Sequence, residues 1–302
     1  MYTAFYTLLG LMQWTRTPFG VITAPATFCR LMRIVLADVK NILNYFDDTL
    51  LHTSSWSEHI DGLRCLLQTF KNHGLTVNPQ KLIIGQSSIE FLGHRVTVGT
   101  MTPLPRQVSK VLDLKTPTSK KQLRSLLGLV SYYRAFIPDF SSLTKPMTDL
   151  LRKGSPEKMN WDSVCESQFK KLQDILASEP ILVLPNMDEQ FIVRTDASDY
   201  GVGGVLLQHR DGILKPCRYA SRKLLPRESR YSAIERECLA IVFTLTHFYK
   251  FLALKHFTLQ TDHTPLLFLK TRPARYARLL RWVLVLCLLK QFPIIIINKC
   301  PF

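Results

Sequence analysis

The sequence is short of acid, of paired cysteines and of uninterrupted apolar runs, and each shortage argues against a class of protein. Among 302 residues, 23 Asp and Glu stand against 39 Lys and Arg, which leaves a formal charge of +16 at pH 7. A deficit of acid on that scale favours a polyanionic partner, and nucleic acid is the first candidate. The seven cysteines (Cys29, Cys65, Cys165, Cys217, Cys238, Cys287 and Cys300) are odd in number and include no Cys-x-x-Cys pair. That pattern disfavours a disulfide scaffold or a zinc ribbon and leaves ordinary buried thiols in a reducing compartment. The opening residues, Met1-Tyr-Thr-Ala-Phe-Tyr6, carry no basic segment ahead of an apolar core. No secretory signal is read there, and the chain is expected inside the cell, in the cytoplasm or nucleus. The most apolar stretch, 279–298, is interrupted by Arg281, Lys290 and Pro293, well short of the roughly 18 clean residues of a membrane span. It reads as core, with no membrane partner. There is no repeat and no low-complexity segment, and a hydrophobic content of 46% is far above that of a disordered tail.

What is present divides by texture near residues 100, 160 and 188. In the first block Ala24-Pro25-Ala26-Thr27-Phe28 places a proline where a first helical turn tolerates it, and the helix is expected to run to about Asp38. Two short apolar runs, 41–45 and 49–52, flank Phe46-Asp47-Asp48 and predict a hairpin. Ile60, Leu63, Leu66, Leu67 and Phe70 recur at helical spacing between His59 and His73, with Gly74 as the stop. A second periodic helix is expected from Thr118, as N-cap, to Phe136, in a basic neighbourhood that includes Lys110, Lys115, Lys120, Lys121, Arg124 and Arg134. The last block alternates strand signals (190–195, 203–208, 217–220, 256–261, 293–297) with a helix over 232–249 and shorter helical stretches near 265–269 and 279–289. The fold class is α/β with a mixed sheet.

Three groups of carboxylates stand in positions where chemistry is possible. Asp47 and Asp48 lie together between apolar runs, where desolvation costs several kcal/mol per ion unless a cation offsets it. Taken alone, the pair is better explained by a plain turn, since Asp is a common turn residue; a hard-cation site with Mg²⁺ is the functional reading. Phe191-Ile-Val-Arg-Thr195-Asp196 and Phe257-Thr-Leu-Gln-Thr261-Asp262 share the pattern Phe, three residues, Thr-Asp. If the two strands are parallel neighbours, equal phase brings Asp196 and Asp262 to one face at one sheet edge. On the helix between them Glu235 and Glu237 flank an apolar stripe of Ile234, Cys238, Ile241, Val242 and Leu245 on opposite sides, and helical geometry does not choose between the two. An Asp, Glu, Asp set would hold two cations about 4 Å apart for an in-line phosphoryl displacement. Three solvated acids at element ends explain the same pattern.

Taken together these residues resemble the polymerase of gypsy-type long-terminal-repeat retrotransposons over nearly the whole chain. Pro18-Phe19-Gly20 with Ala24-Pro25-Ala26-Thr27-Phe28 is similar to that family's template and nucleotide contact segment, and Tyr45-Phe46-Asp47-Asp48 to its palm hairpin. Phe91-Leu92-Gly93-His94 is similar to the segment that grips the primer end, and Leu126-Leu127-Gly128-Leu129 with Tyr132-Tyr133-Arg134 and Phe136-Ile137 to the thumb. Thr195-Asp196-Ala197-Ser198, Glu235-Arg236-Glu237-Cys238-Leu239-Ala240 and Thr261-Asp262-His263 resemble a ribonuclease H module. The resemblance implies a partial palm over 1–100, a helical thumb-like module over 101–160, and a linker with a ribonuclease H-like domain over 161–302. It implies catalytic and metal-holding roles for Asp47, Asp48, Asp196, Glu237 and Asp262, the glutamate being the one two residues before the Leu-Ala pair. Phe19, Gly20, Leu92, Gly93 and His94 become nucleotide or nucleic-acid contacts, Mg²⁺ (or Mn²⁺) the cofactor, and RNA–DNA hybrids and primer–template duplexes the partners.

The family also carries a first palm aspartate and fingers upstream of the segment matching Thr3-Ala4-Phe5, and a fourth ribonuclease H carboxylate in an Ala-Asp-Ala-Leu-Ser-type segment; this sequence contains neither. Both sites are therefore expected to be incomplete and the polymerase silent, with hydrolysis of RNA in a hybrid the better surviving activity. A non-catalytic nucleic-acid-binding remnant is the alternative. An integrase on the same superfold would order its acids Asp, Asp, Glu, whereas here Glu237 falls between the aspartates.

Overall fold

The computed structural model describes residues 3–18, 20–152, 154–156, 159–262, 282 and 294–296. They form two compact units, dividing after Gln86. Among the described residues no helix is long and apolar enough to cross a membrane.

The first unit opens with an antiparallel hairpin of β1 (Ala4–Thr7) and β2 (Gly10–Gln13). Helix α1 (Ala24–Val35) follows with Pro25 in its first turn, where the missing N–H costs nothing. It ends three residues before the expected Asp38, because the chain turns at the Leu36 cap. Strands β3 (Ile42–Tyr45) and β4 (Asp48–Leu51) pair antiparallel, with Tyr45 opposite Asp48 and a two-residue loop between. Helix α2 (Trp56–Asn72) starts three residues earlier than His59: the Ser55 hydroxyl accepts the Glu58 N–H at 3.3 Å, and the Glu58 carboxylate accepts the Ser54 N–H at 3.2 Å. That reciprocal cap overrides the start of the apolar periodicity. The core of this unit is small, built on Met32, Leu36 and Leu66.

The second unit begins with three strands that the sequence pattern does not announce, β5 (Ser88–Phe91), β6 (His94–Thr97) and β7 (Thr100–Pro103). Helices α3 (Pro105–Leu112), α4 (Lys120–Tyr132), α5 (Phe140–Asp149) and α6 (Ser163–Ala177) come next, then the short β8 (Leu182–Val183), which pairs with β7. The N-cap of α4 is Ser119 rather than Thr118, and the helix stops at Tyr132, with Arg134–Phe136 continuing as a 3₁₀ turn. Thr118 serves the same end differently, its N–H and hydroxyl both donating to the Gln122 amide oxygen. Leu123, Leu126, Val130, Met147, Phe169 and Leu172 share one core. Residue 100 thus sits inside a sheet, and α6 beyond residue 160 packs with α3 to α5.

The rest of the unit is a five-stranded mixed sheet in the order β11-β10-β9-β12-β13, formed by β9 (Phe191–Ala197), β10 (Gly201–Arg210), β11 (Ile213–Lys223), β12 (Phe257–Thr261) and β13 (Ile294–Ile296). Helices α7 (Ala233–His247) and α8 (Tyr249–Leu252) lie between β11 and β12 in sequence. β11 is an edge strand, which is why it tolerates Pro216 beside an irregularity in its pairing with β10. The apolar stripe of α7 (Cys238, Ile241, Leu245) packs on Phe191, Val193, Leu206 and Leu259 of the sheet. Helix α5 packs on β10 and β11 from the other side: the Ser141 N–H donates to the Ser221 hydroxyl at 3.0 Å, and a Cβ at Gly201 would meet the Ser141 hydroxyl at 2.7 Å. On the α7 side a Cβ at Gly204 would meet Thr244 Oγ1 at 2.4 Å. Of the expected terminal elements, the helical stretches at 265–269 and 279–289 lie outside the described residues apart from Trp282, and the strand at 293–297 is seen as β13.

Candidate metal centre

Strands β9 and β12 are adjacent and parallel, with Phe257 opposite Phe191 and Gln260 opposite Arg194. The shared Phe-x-x-x-Thr-Asp pattern is therefore in phase, and both strands deliver an aspartate at the same end of the sheet. Helix α7 crosses behind them and adds Glu237. Carboxylate oxygens of Asp196, Glu237 and Asp262 lie within 4.8 Å of one another. Glu237 is only 8% exposed, and its Oε2 is buried with no hydrogen-bond partner.

The electrostatics of this arrangement are unfavourable as they stand. Burial first, then the charges of Asp196 and Asp262, push the Glu237 carboxyl up to about 8, against the opposing hydrogen bond from the Ala197 backbone. Burial also raises Asp196, assisted by the charges of Asp262 and Asp139. Two like charges converging on a desolvated carboxylate are what a bound cation would relieve. The donor set, all carboxylate oxygen, suits a hard divalent ion. The geometry also separates the two glutamates that periodicity left equal. Glu235 closes a capping box with Ser232, its carboxylate accepting the Ser232 N–H at 2.9 Å, so it is committed to the start of α7 while Glu237 turns to the strand ends.

The other expected site residues are placed as follows. Asp47 and Asp48 are exposed at the β3–β4 turn, which Asn44 pins by donating to the Phe46 and Asp48 carbonyls at 3.0 and 3.3 Å. Among the described residues no third acid or histidine joins them as a metal-binding group. A groove of about 610 Å³ joins this turn, through Phe46 and Asp47, to Gly20, Pro25 and Phe28; Phe19 itself lies outside the described residues. Leu92 and Gly93 form the two-residue turn between β5 and β6, with φ of 46° and 71°. The Tyr132 hydroxyl donates to the Leu92 carbonyl, and the Tyr133 hydroxyl to the Gly93 carbonyl at 3.4 Å. His94 stacks on the Tyr132 ring, with centroids 5.4 Å apart. Its imidazole is held below the usual range by burial and then by the Arg218 charge. The turn is thus anchored to the end of α4. Sequence reading does not single out Asp139, which the fold brings within electrostatic reach of Asp196; the only signal was its place in Ile137-Pro-Asp-Phe140, ahead of a helix.

With the geometry in hand, the chain can be set beside known proteins. Residues 2–96 match the family model described as reverse transcriptase (RNA-dependent DNA polymerase), and residues 161–259 match the one described as an RNase H-like domain found in reverse transcriptase. Among curated proteins, the retrovirus-related Pol polyprotein from transposon 297 of Drosophila melanogaster is 36% identical over 282 residues, covering 93% of this chain and 26% of that protein. The Transposon Tf2-3 polyprotein of Schizosaccharomyces pombe is 34% identical over 290 residues, covering 94% of this chain and 22% of that protein. The chain therefore spans about a quarter of the length of these relatives. Among solved structures, a foamy viral protease-reverse transcriptase in complex with dsDNA superposes with a TM-score of 0.82 at 23% identity, over 99% of this chain and 63% of that one. The same viral protein in complex with an RNA/DNA hybrid gives a TM-score of 0.79 at 22% identity, over 99% of this chain and 41% of that one. This chain carries a reverse transcriptase segment followed by an RNase H-like domain, and its relatives over most of its length are the polyproteins of gypsy-type retrotransposons.

Proposed function

We propose that this segment cuts the RNA strand of RNA–DNA hybrids at the Asp196, Glu237, Asp262 centre, with a divalent cation, Mg²⁺ or Mn²⁺, as cofactor. The observation that carries the reading is the convergence of three carboxylates within 4.8 Å around a buried, unpartnered Glu237 oxygen. A divalent ion held there supplies Lewis-acid polarisation of water and of phosphodiester oxygens. The chain's own part is to fix two carboxylates on neighbouring parallel strands and to hold a third on a helix that shields it from water. Asp47 and Asp48, at the turn beside the Gly20 groove, are assigned to the polymerase half. The functional division that goes with this reading is palm over 1–100, thumb-like module over 101–160, and linker with RNase H-like domain over 161–302. Leu92, Gly93 and His94 are assigned to the primer end, Phe19 and Gly20 to template or nucleotide, and the working place of the protein to the cell interior.

The test is cleavage of a hybrid labelled on its RNA strand, in Mg²⁺ and in Mn²⁺, by the parent and by Asp196→Asn, Glu237→Gln and Glu235→Gln variants. Groups that act on one reaction centre as a unit lose most of the rate when any one is removed. The first two variants are therefore expected to fall at least about a hundredfold, and Glu235→Gln less than threefold. Cleavage that survives Asp196→Asn unchanged refutes the assignment. A parent that binds hybrid but cuts it with neither metal establishes the alternative, a non-catalytic nucleic-acid-binding remnant, for which the charge of +16 is the supporting observation.

A further inference from the structure

Helix α7 carries Glu-Arg-Glu in its first residues, and the middle one has a partner on the sheet. Glu235 closes the capping box and Glu237 joins the acids. Arg236, between them, extends a largely buried side chain, 19% exposed, to Asp199, with Nη1 2.8 Å from Oδ1. Asp199 stands in the turn that joins β9 to β10, three residues after Asp196. That turn is a fixed frame. The Ser198 hydroxyl accepts the Tyr200 and Gly201 N–H groups at 3.3 and 3.1 Å. The Ser198 N–H donates to the Gly201 carbonyl at 2.9 Å, and the Tyr200 carbonyl accepts the Leu224 N–H at 2.9 Å. Further along α7 the Thr244 hydroxyl donates to the Gly203 carbonyl at 3.3 Å, but that contact lies about 10 Å of helix beyond Glu237. The Arg236–Asp199 pair therefore ties helix to sheet beside the acids on both elements, one residue from Glu237 and three from Asp196.

We propose that the Arg236–Asp199 ion pair positions the metal centre, holding the start of α7 to the β9–β10 turn so that Glu237 stays with Asp196 and Asp262 before a cation arrives. The inference rests on the metal-centre reading above. Carboxylates whose oxygens lie within 4.8 Å of one another repel while no ion is bound, and the repulsion drives the helix away from the strand ends. An attraction between the same two elements, made outside the acid cluster, opposes that drive. A site whose ligands are held in place beforehand binds its ion more tightly than one that must gather them. Field and geometry make opposite demands on Arg236. A positive charge beside the acids repels an incoming cation, so by field alone its removal strengthens metal binding. As a clamp, its removal weakens it. Arg236 and Asp199 act through the acids and are positioning residues.

The experiment is titration of the full chain with Mn²⁺, following the free ion by its electron paramagnetic resonance signal, with no nucleic acid present. Arg236→Gln, Asp199→Asn, the double variant and Arg236→Lys are compared with the parent. Arg236→Gln is expected to bind Mn²⁺ about fivefold more weakly at unchanged stoichiometry, the scale of an ion pair lost from a partly exposed position. Asp199→Asn is expected to lose about as much. The double variant keeps the parent's net charge and is expected to lose no more than either single change, because both remove one contact. Arg236→Lys keeps a charge within reach of a single carboxylate oxygen and is expected to bind within about twofold of the parent. An Arg236→Gln variant that binds as the parent does, or more tightly, overturns the proposal and leaves the three-acid centre standing. So does a double variant that loses the product of the two single effects, a lysine that restores nothing, or a fall in the number of sites rather than in their affinity. A parent that takes up no Mn²⁺ overturns the metal centre itself, a different failure read in the same assay.

Discussion

Glu237 sets the pH behaviour of the metal-free protein. Its carboxyl is raised to about 8 in the folded chain, against roughly 4.3 for a free glutamate. A raised acid binds its proton more tightly folded than unfolded, so its contribution to stability is complete below the unfolded value and is lost as pH climbs through the folded one. Thermal melts in chelator are therefore expected to show stability falling between about pH 4.5 and 8, by up to about 1.4 kcal/mol per pH unit where the difference in bound protons is largest. Glu237→Gln is expected to flatten that fall, and a parent whose melting temperature is level across the window contradicts the buried, repelled carboxyl. The two aspartates of this centre were legible as residues because Phe-x-x-x-Thr-Asp occurs twice, in phase, on strands that turn out to be neighbours. The glutamate was not legible from periodicity, since Glu235 and Glu237 flank the same stripe. Only the capping box, a contact between side chain and backbone three residues apart, shows which is spent on the helix end.

At the scale of elements, contact between α7 and the sheet depends on β10 having no side chain at Gly204. An added methyl would stand 2.4 Å from Thr244 Oγ1 and 2.8 Å from the Arg194 carbonyl, and the latter is backbone that cannot swing away. Gly204→Ala is expected to destabilise the domain by about 3 kcal/mol or more, in the range of overpacked cores. Gly203→Ala, whose nearest contact would be 3.3 Å, is expected to cost far less; urea denaturation of the two variants measures the difference. The sequence pattern caught α1, α2, α4 and α7 and the β3–β4 hairpin, and it missed α3, α5 and α6. The strands over 88–103 escaped it because each is four residues long and joined to the next by a two-residue turn. Four residues give too few alternations to separate a half-buried strand from a loop. The helix starts at Ser55 and Ser119 were displaced by one to three residues for a related reason: caps set helix boundaries, and the apolar stripe begins a turn later.

For the molecule as a whole, the charge of +16 is the property a nucleic acid meets first. Binding to duplexes is expected to be largely indifferent to sequence and to weaken steeply as salt rises, because phosphate contacts release condensed counterions. Fluorescence anisotropy with a labelled hybrid between about 50 and 200 mM salt should show a loss of at least about tenfold, and a flat isotherm would remove electrostatics as the source of affinity. The parallel pairing of β9 and β12 has a consequence in time as well as in space. The hairpins at Phe46–Asp47 and Leu92–Gly93 close over a few residues and are expected to form early, whereas Asp196 and Asp262 are brought together by β12 lying beside β9, with α7 and α8 between them in the chain. Contacts of such long range bear the full entropy of loop closure before they gain anything from burial. The last step also brings like charges together. The acidic centre is therefore expected to assemble late on the folding path, and stopped-flow refolding is expected to quicken in mild acid or with a divalent cation, either of which quiets that repulsion.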